Sequence, residues 1–212
     1  MPPINGKLDL AKADKAYYSA TAEPRLIEFG ELPYLTVTGK GAPEGPAFAA
    51  ATEALYTVAY AAKAICKKDG RDFTVPRLEG MWWVEVPVKS PQEAMSVPRD
   101  EWHWKLLIRL PDFVSGEIAA AARANAAAKK ADLEPIRRVA FERIREGLCV
   151  QILHIGPYSD EPETLARMTA FTDERGLVSN GPHHEIYLSD PRKANPKTMK
   201  TILRHPVRCG SS

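Results

Sequence analysis

The feature that most limits what this chain can fold into is an internal repeat of pattern. Leu32-Pro-Tyr-Leu-Thr-Val-Thr-Gly-Lys-Gly-Ala-Pro43 alternates apolar and polar residues and then breaks at glycine and proline. Gly147-Leu-Cys-Val-Gln-Ile-Leu-His-Ile-Gly-Pro157 does the same. A period of two reads as a strand, and the Gly/Pro cluster ends it. A helix follows each break, and two more strands follow each helix. A single unit of this kind cannot bury its own faces, so two of them must pack together. The expected fold is α+β, a tandem pseudo-two-fold repeat of a βαββ-type unit. Helices should cover one face of antiparallel sheets, and a ligand cleft should open on the other. Residues 1–212 read as one domain, with a first repeat over about 31–111, a linker helix over 112–130 and a second repeat over about 139–208.

The elements follow from local chemistry. Residues 1–30 read as an arm that packs on the domain or stays loosely ordered. Pro46 suits the first turn of a helix, and Ala51, Leu55, Val58, Ala62 and Ile65 give it one apolar stripe as far as Lys68. Strands are expected at Thr74–Val86 and Trp102–Leu110, with a Pro/Ser-rich loop over Pro87–Pro98. Asp112 reads as the N-cap of an alanine-rich helix, and Ala119–Lys130 as a surface connector. In the second half, Val139–Arg145 should be a strand, Glu146-Gly147 a turn and Leu148–Ile155 another strand. Asp160 and Glu163 have the spacing of a capping box for the next helix, and strands follow at His183–Ser189 and Thr201–Val207.

Composition excludes several classes. The chain is 44% hydrophobic and 26% charged, which is a globular balance and the opposite of a disordered one. A net charge of +2 gives no electrostatic reason to expect nucleic acid or a membrane surface as partner. The cluster Arg192, Lys193, Lys197 and Lys200 lacks interleaved aromatics and reads as a solvated loop. Cys66, Cys149 and Cys209 are odd in number and widely spaced, which fits reduced thiols in a cytoplasmic protein. No secretory leader, bilayer-spanning run, phosphate loop or dinucleotide fingerprint is present.

Two groups of residues could carry chemistry. All four tryptophans, Trp82, Trp83, Trp102 and Trp104, lie in two consecutive strands. They form either an aromatic core or the wall of a site for a flat apolar or cationic ligand. The second group lies in His183-His-Glu-Ile-Tyr-Leu-Ser189. There Glu185 and Tyr187 share one strand face with His183 and Ser189, and His184, Ile186 and Leu188 take the buried face. A carboxylate beside a phenol can serve as general base and hydrogen-bond donor. Tyr56, on a face of the first helix with Glu53 and Tyr60, and His154 and Tyr158, which flank the second Gly/Pro turn, are weaker candidates. Adjacent histidines on a strand point apart, so no metal site and no cofactor are expected.

Taken together, Pro76-Arg-Leu-Glu-Gly-Met-Trp-Trp83, Lys105–Val114, Glu146–Tyr158 and His183-His-Glu-Ile-Tyr-Leu-Ser-Asp-Pro-Arg192 resemble the stand-alone GyrI-like small-molecule-binding family. The resemblance runs from about Ala16 to Arg208 and implies a tandem of two βαββ-type units. Relatives of this fold are drug sensors joined to a helix-turn-helix domain, and no such domain is visible here, so a transcription factor is not expected. In those sensors a buried glutamate meets cationic aromatic drugs, and Glu185 resembles it. One stand-alone branch is associated with hydrolysis of the cyclopropane ring of yatakemycin-type DNA-alkylating agents inside an aromatic cage. The resemblance therefore implies Trp83 and Trp104 as cage walls, with Trp82, Tyr56, Tyr158 and His154 as further ligand contacts. It also implies that Glu185 acts on a water and that Tyr187 donates to the ligand's oxygen. The alternatives are a non-catalytic binder that sequesters drugs and a gyrase-inhibitor-like module that docks on a protein. The expected partner is an aromatic small molecule, with the protein a monomer or weak dimer.

Overall fold

The computed structural model describes residues 6–87, 91–190 and 193–210, the side chains of Pro91 and Gln92 excepted. Residues 88–90 of the Pro/Ser-rich loop and Arg192 of the basic cluster lie outside the described residues. The helices are α1 (Leu10–Ala13), α2 (Lys15–Tyr18), α3 (Pro46–Lys68), α4 (Pro91–Ala94), α5 (Gly116–Lys129) and α6 (Glu161–Asp173). The strands are β1 (Arg25–Lys40), β2 (Glu79–Trp83), β3 (His103–Arg109), β4 (Ala140–Ile155), β5 (Leu177–Ser179), β6 (His183–Tyr187) and β7 (Lys200–Cys209). All named pairings are antiparallel, in the order β4-β1-β3-β2-β6-β7-β5, and a further β4–β7 pairing closes the sheet into a ring. The class is α+β, a strand barrel with helices packed on it.

Strand parity decides what each layer holds. On β2 and β6 the residues Glu79, Met81, His184 and Ile186 point into the ring, while Gly80, Trp82, His183, Glu185 and Tyr187 point outward. Leu35, Val37, Trp104, Leu106 and Ile108 on the outer face of β1 and β3 are buried under α3 and α5. Leu165 and Met168 of α6 cover Val150, Ile152 and Leu203 on β4 and β7. The outer faces of β2 and β6 therefore remain uncovered between the two helical layers. The cleft opens there, on the helix-bearing side and not on the opposite one. The opposite face is curled inward by ring closure and is filled.

The filling is unusually polar. Tyr17 of α2 packs inside the ring with Tyr34, Leu107, Cys149, Ile186 and Ile202. Its hydroxyl donates to Glu79 and lies 2.9 Å from the Tyr34 hydroxyl. The guanidinium groups of Arg109 and Arg204 each lie 4.3 Å from its ring centroid. His184 donates from Nδ1 to Glu146 at 2.9 Å and from Nε2 to Glu79 at 3.1 Å. Arg204 donates to Glu146 at 2.9 Å, to Gln151 at 3.2 Å and to the Tyr17 carbonyl at 3.0 Å. Two carboxylates thus face two cations, as buried charges must if they are to stay charged. Burial alone would lower the His184 pKa, but Glu146 and Glu79 outweigh it and raise it to about 9. Burial likewise opposes ionisation of Glu146, yet His184 and Arg204 bring it down to about 2.

Several local expectations change. The N-terminal arm is part of the core, and β1 starts at Arg25, because its first residues pair with the far half of β4. Glu146-Gly147 is not a turn. Gly147 adopts φ +69°, and the β1–β4 ladder skips one pair there before resuming in register. Turning away would have left the first residues of β1 without hydrogen-bond partners. Ser115, not Asp112, caps α5 by accepting from the Ile118 amide. Nor is α5 a surface connector: Ala119, Ala122 and Ala126 are buried with the alanines of α3, and small side chains on both helices permit that contact. The Asp160–Glu163 capping box does not form; Asp160 instead accepts from Ser159. Strand β2 begins only at Glu79 and β6 stops at Tyr187.

Candidate functional site

The cleft encloses about 1160 Å³, which is ample for a drug-sized ligand. Its floor is the seam between β2 and β6, where Gly80 pairs with Glu185 and Trp82 with His183. One wall is the α3 face carrying Phe48, Thr52 and Tyr56. The other is the start of α6 with Tyr158, Glu161 and Leu165.

The aromatic side is ordered by contacts that run from the floor to α3. Trp82 stacks on Phe48 at 5.7 Å and 14°, and meets Trp102 edge-on at 5.9 Å. Trp102 donates to the Val97 carbonyl at 3.0 Å, with the Arg99 guanidinium 5.6 Å from its ring. Trp83 stacks on His103 at 5.6 Å at the rim. Gly80 makes the arrangement possible. A Cβ there would come within 2.9 Å of Trp82 Nε1 and 3.0 Å of the Tyr187 hydroxyl, closer than real side chains approach.

The polar side centres on β6. Tyr187 accepts from Trp82 Nε1 at 3.2 Å, and its hydroxyl lies on the same strand face as the Glu185 carboxylate. Burial first, then Glu185, pushes the Tyr187 phenol well above its ordinary value, so it stays protonated. Tyr158 meets Tyr187 edge-on at 6.2 Å. Burial and the carboxyls of Glu185 and Glu161 push Tyr158 up to about 12. His183 Nε2 lies 3.5 Å from Glu185 Oε1 without a hydrogen bond, and neither ring nitrogen has a hydrogen-bond partner.

Of the residues expected at the site, Glu185, Tyr187, Trp82, Trp83, Tyr56 and Tyr158 all line the cleft. Trp104 does not. Its indole lies over Gly39, where any Cβ would sit 2.2 Å away, and it is 1% exposed in the core beneath α3. His154 does not line it either. It is buried, with Nε2 donating to the Pro157 carbonyl at 3.1 Å and Nδ1 sharing a hydrogen bond with the Thr164 hydroxyl at 2.9 Å. It pins the turn that delivers Tyr158 and Glu161 to the cleft. Three residues escaped the sequence reading, Phe48 and Trp102 as walls and Glu161. Trp102 was visible as one of the four indoles but precedes β3. Glu161 sits in Asp-Glu-Pro-Glu163, which reads as an ordinary acidic first turn. Yet Glu161 is 6% exposed and its Oε1 has no hydrogen-bond partner. Among the described residues no group of three metal-ligating side chains is assembled, and no helix is long and apolar enough to cross a membrane.

An aromatic cleft with a few convergent polar groups on the outer face of an α+β barrel defines a small-molecule-binding protein. A family model described as the GyrI-like small molecule binding domain matches residues 114–208. An uncharacterised conserved protein from Listeria innocua is 43% identical, with 95% of this chain and 100% of that one covered and a TM-score of 0.87. A hydrolase from Listeria innocua is 42% identical over 95% of this chain and 100% of its own, with a TM-score of 0.82. The chain belongs to the GyrI-like small-molecule-binding family. The C-terminal domain of EcmrR, 13% identical over 88% of this chain and 98% of its own, has a TM-score of 0.56 and shares the fold alone. No curated protein matches the chain.

Proposed function

We propose that the protein is a cytoplasmic detoxifying hydrolase. It takes up flat aromatic molecules in the cleft and opens, with water, the activated cyclopropane ring of yatakemycin-type alkylating agents. The observation that carries this reading is the pairing of Glu185 with Tyr187 opposite the aromatic group Trp82, Trp102 and Phe48. The hydrolase name borne by a relative 42% identical supports it. We also read the two halves of the chain, over about 31–111 and 139–208, as copies of one βαββ-type unit.

In the reaction the water oxygen bonds to the cyclopropane methylene, and the bond from that methylene to the spiro carbon breaks. The released electron pair makes the dienone ring aromatic, and charge builds on its oxygen. Glu185 takes the water proton. Tyr187 is a positioning residue: its hydroxyl is held by Trp82 beside Glu185, where it helps to fix that carboxylate. Trp82, Trp83 and Trp102 hold the aromatic body, and the drop in polarity around it strengthens each charge interaction at the reacting carbon.

The test is incubation with a synthetic spirocyclopropyl cyclohexadienone and detection of the ring-opened product by mass spectrometry. A positioned base is worth about 10²–10⁴-fold in rate, so Glu185→Gln should lose that much turnover while still quenching tryptophan fluorescence on binding. Binding by the wild type without product would replace this reading with simple sequestration.

A further inference from the structure

Glu161 stands out from every other carboxyl on the cleft. Glu53 pairs with Lys130 at 2.7 Å, Glu44 with Arg99 at 3.2 Å, Glu185 lies 3.5 Å from His183, and Asp190 has a partner of its own. Glu161 is more than nine-tenths buried, and among the described residues no cation pairs with it. Its Oε1 lacks any hydrogen-bond partner. It lines the cleft from the α6 wall, and Glu185 lines the same cleft from β6. A carboxylate in that position would be desolvated and repelled by its neighbour, so the carboxyl is kept as the acid. Burial first, and Glu185 second, raise its pKa to about 9. Its place at the start of α6 favours the anion, but one exposed-type helix-end effect is small beside complete desolvation.

We propose that Glu161 is the proton donor of the site, delivering its proton to the ligand oxygen that gains charge while Glu185 accepts the proton of the attacking water. The proposal rests on the ring-opening reading. It fixes the substrate class further. The ligand must carry a carbonyl oxygen conjugated to the strained carbon. It must lie with that oxygen toward the α6 wall and its aromatic body toward Trp82 and α3.

The balance is complete without a co-reactant. One C–O bond forms from water, one C–C bond of the small ring breaks, and the carbonyl oxygen becomes a phenol by taking the Glu161 proton. Glu161 is then the anion and Glu185 the acid. Both carboxyls line one open cleft, so release of the Glu185 proton to solvent and uptake of one by Glu161 restore the starting state. The titratable groups nearest Glu161 on the elements around it are Glu185, Tyr187 and His183 of β6, Tyr158 and Asp160 in the turn, Glu93 of α4 and His154 of β4. His154 is already spent on Thr164 and Pro157.

The experiment compares wild type with Glu161→Gln on the spirocyclopropyl dienone across pH 6–10, and records the carboxylic-acid carbonyl stretch by infrared spectroscopy without ligand. Wild-type turnover should fall as pH rises through about 9, and the acid band should disappear over the same range. Glu161→Gln should lose about 10²–10⁴-fold in rate, lose the alkaline limb, and lack the band at pH 7. A wild type that yields no product overturns the hydrolase reading itself. A wild type that turns over alongside a Glu161→Gln variant of equal rate and unchanged alkaline limb overturns only the role of Glu161. The infrared titration of the wild type stands independently of whether the variant folds: no acid band at pH 7 refutes the proposal.

Discussion

Replacing His184 with glutamine tests the charge network inside the ring, and its size can be worked from the structure. His184 is fully buried between Glu146 at 2.9 Å and Glu79 at 3.1 Å. Its pKa rises from 6.5 to about 9 in the folded protein. At about 1.36 kcal/mol per pH unit, that difference of about 2.5 units corresponds to roughly 3 kcal/mol of stability. For a histidine whose folded value is raised, the contribution is fully present below pH 6.5. It declines between 6.5 and 9 and is gone above that range. Removing one partner of a buried charge pair costs about 3–5 kcal/mol, which agrees with this figure. His184→Gln should therefore be destabilised by about that amount at pH 6, and the gap to wild type should shrink by about 3 kcal/mol at pH 9.5. Urea unfolding at each pH, followed by tryptophan fluorescence, measures both. Glu161 titrates in the same window but is present in both proteins, so it cancels in the difference. A stability gap that stays constant from pH 6 to 9.5 would refute the assignment of His184 as a buried imidazolium.

The remaining predictions separate core from cleft. Trp104→Ala should cost about 3–5 kcal/mol, as expected for a fully buried indole, whereas Trp83→Ala at the rim should mainly lower ligand affinity. Denaturant midpoints and ligand titrations on the two variants distinguish these outcomes, and equal destabilisation would contradict the placement. Gly80→Ala should unfold cooperatively but bind the dienone at least about tenfold more weakly, because Trp82 and Tyr187 must both shift. Wild-type affinity in that variant would show that the floor tolerates a side chain.

What could be read in the sequence was whatever depended on neighbours along the chain. The stripe of α3 and its Pro46 start were legible, as was the parity that puts Glu185 and Tyr187 on one face with His183. Parity put Trp82 and Trp83 on opposite faces, but not which of them would join Trp104 or which ring α3 would cover. That depends on Phe48 seating one ring over Trp82 and its edge on Trp104. Ring closure was illegible because it rests on the β4–β7 and β2–β6 seams, and no local pattern encodes them. The same reason hid Glu161. Nothing within its own turn distinguishes it from a solvated acid, and its burial comes from the packing of α6 on β4 and α4, which are distant in sequence. Whether the arm bearing Tyr17 packs on the domain or stays loosely ordered could not be read, because its partners, Glu79 and Arg204, lie 62 and 187 residues away.

That last separation bears on how the protein is made. Synthesis delivers the chain from its N-terminus, so Tyr17, Glu79 and Glu146 are all present before Arg204 leaves the ribosome. Until β7 emerges, β4 lacks one neighbour, β6 lacks another, and the guanidinium that reaches the Tyr17 carbonyl does not exist. Two acids then face the forming interior with only His184 between them. Water must remain in the ring until the final strand displaces it. Contacts this distant in sequence slow folding and prolong exposure of unpaired strands. The ring therefore closes only when β7 pairs with both β4 and β6.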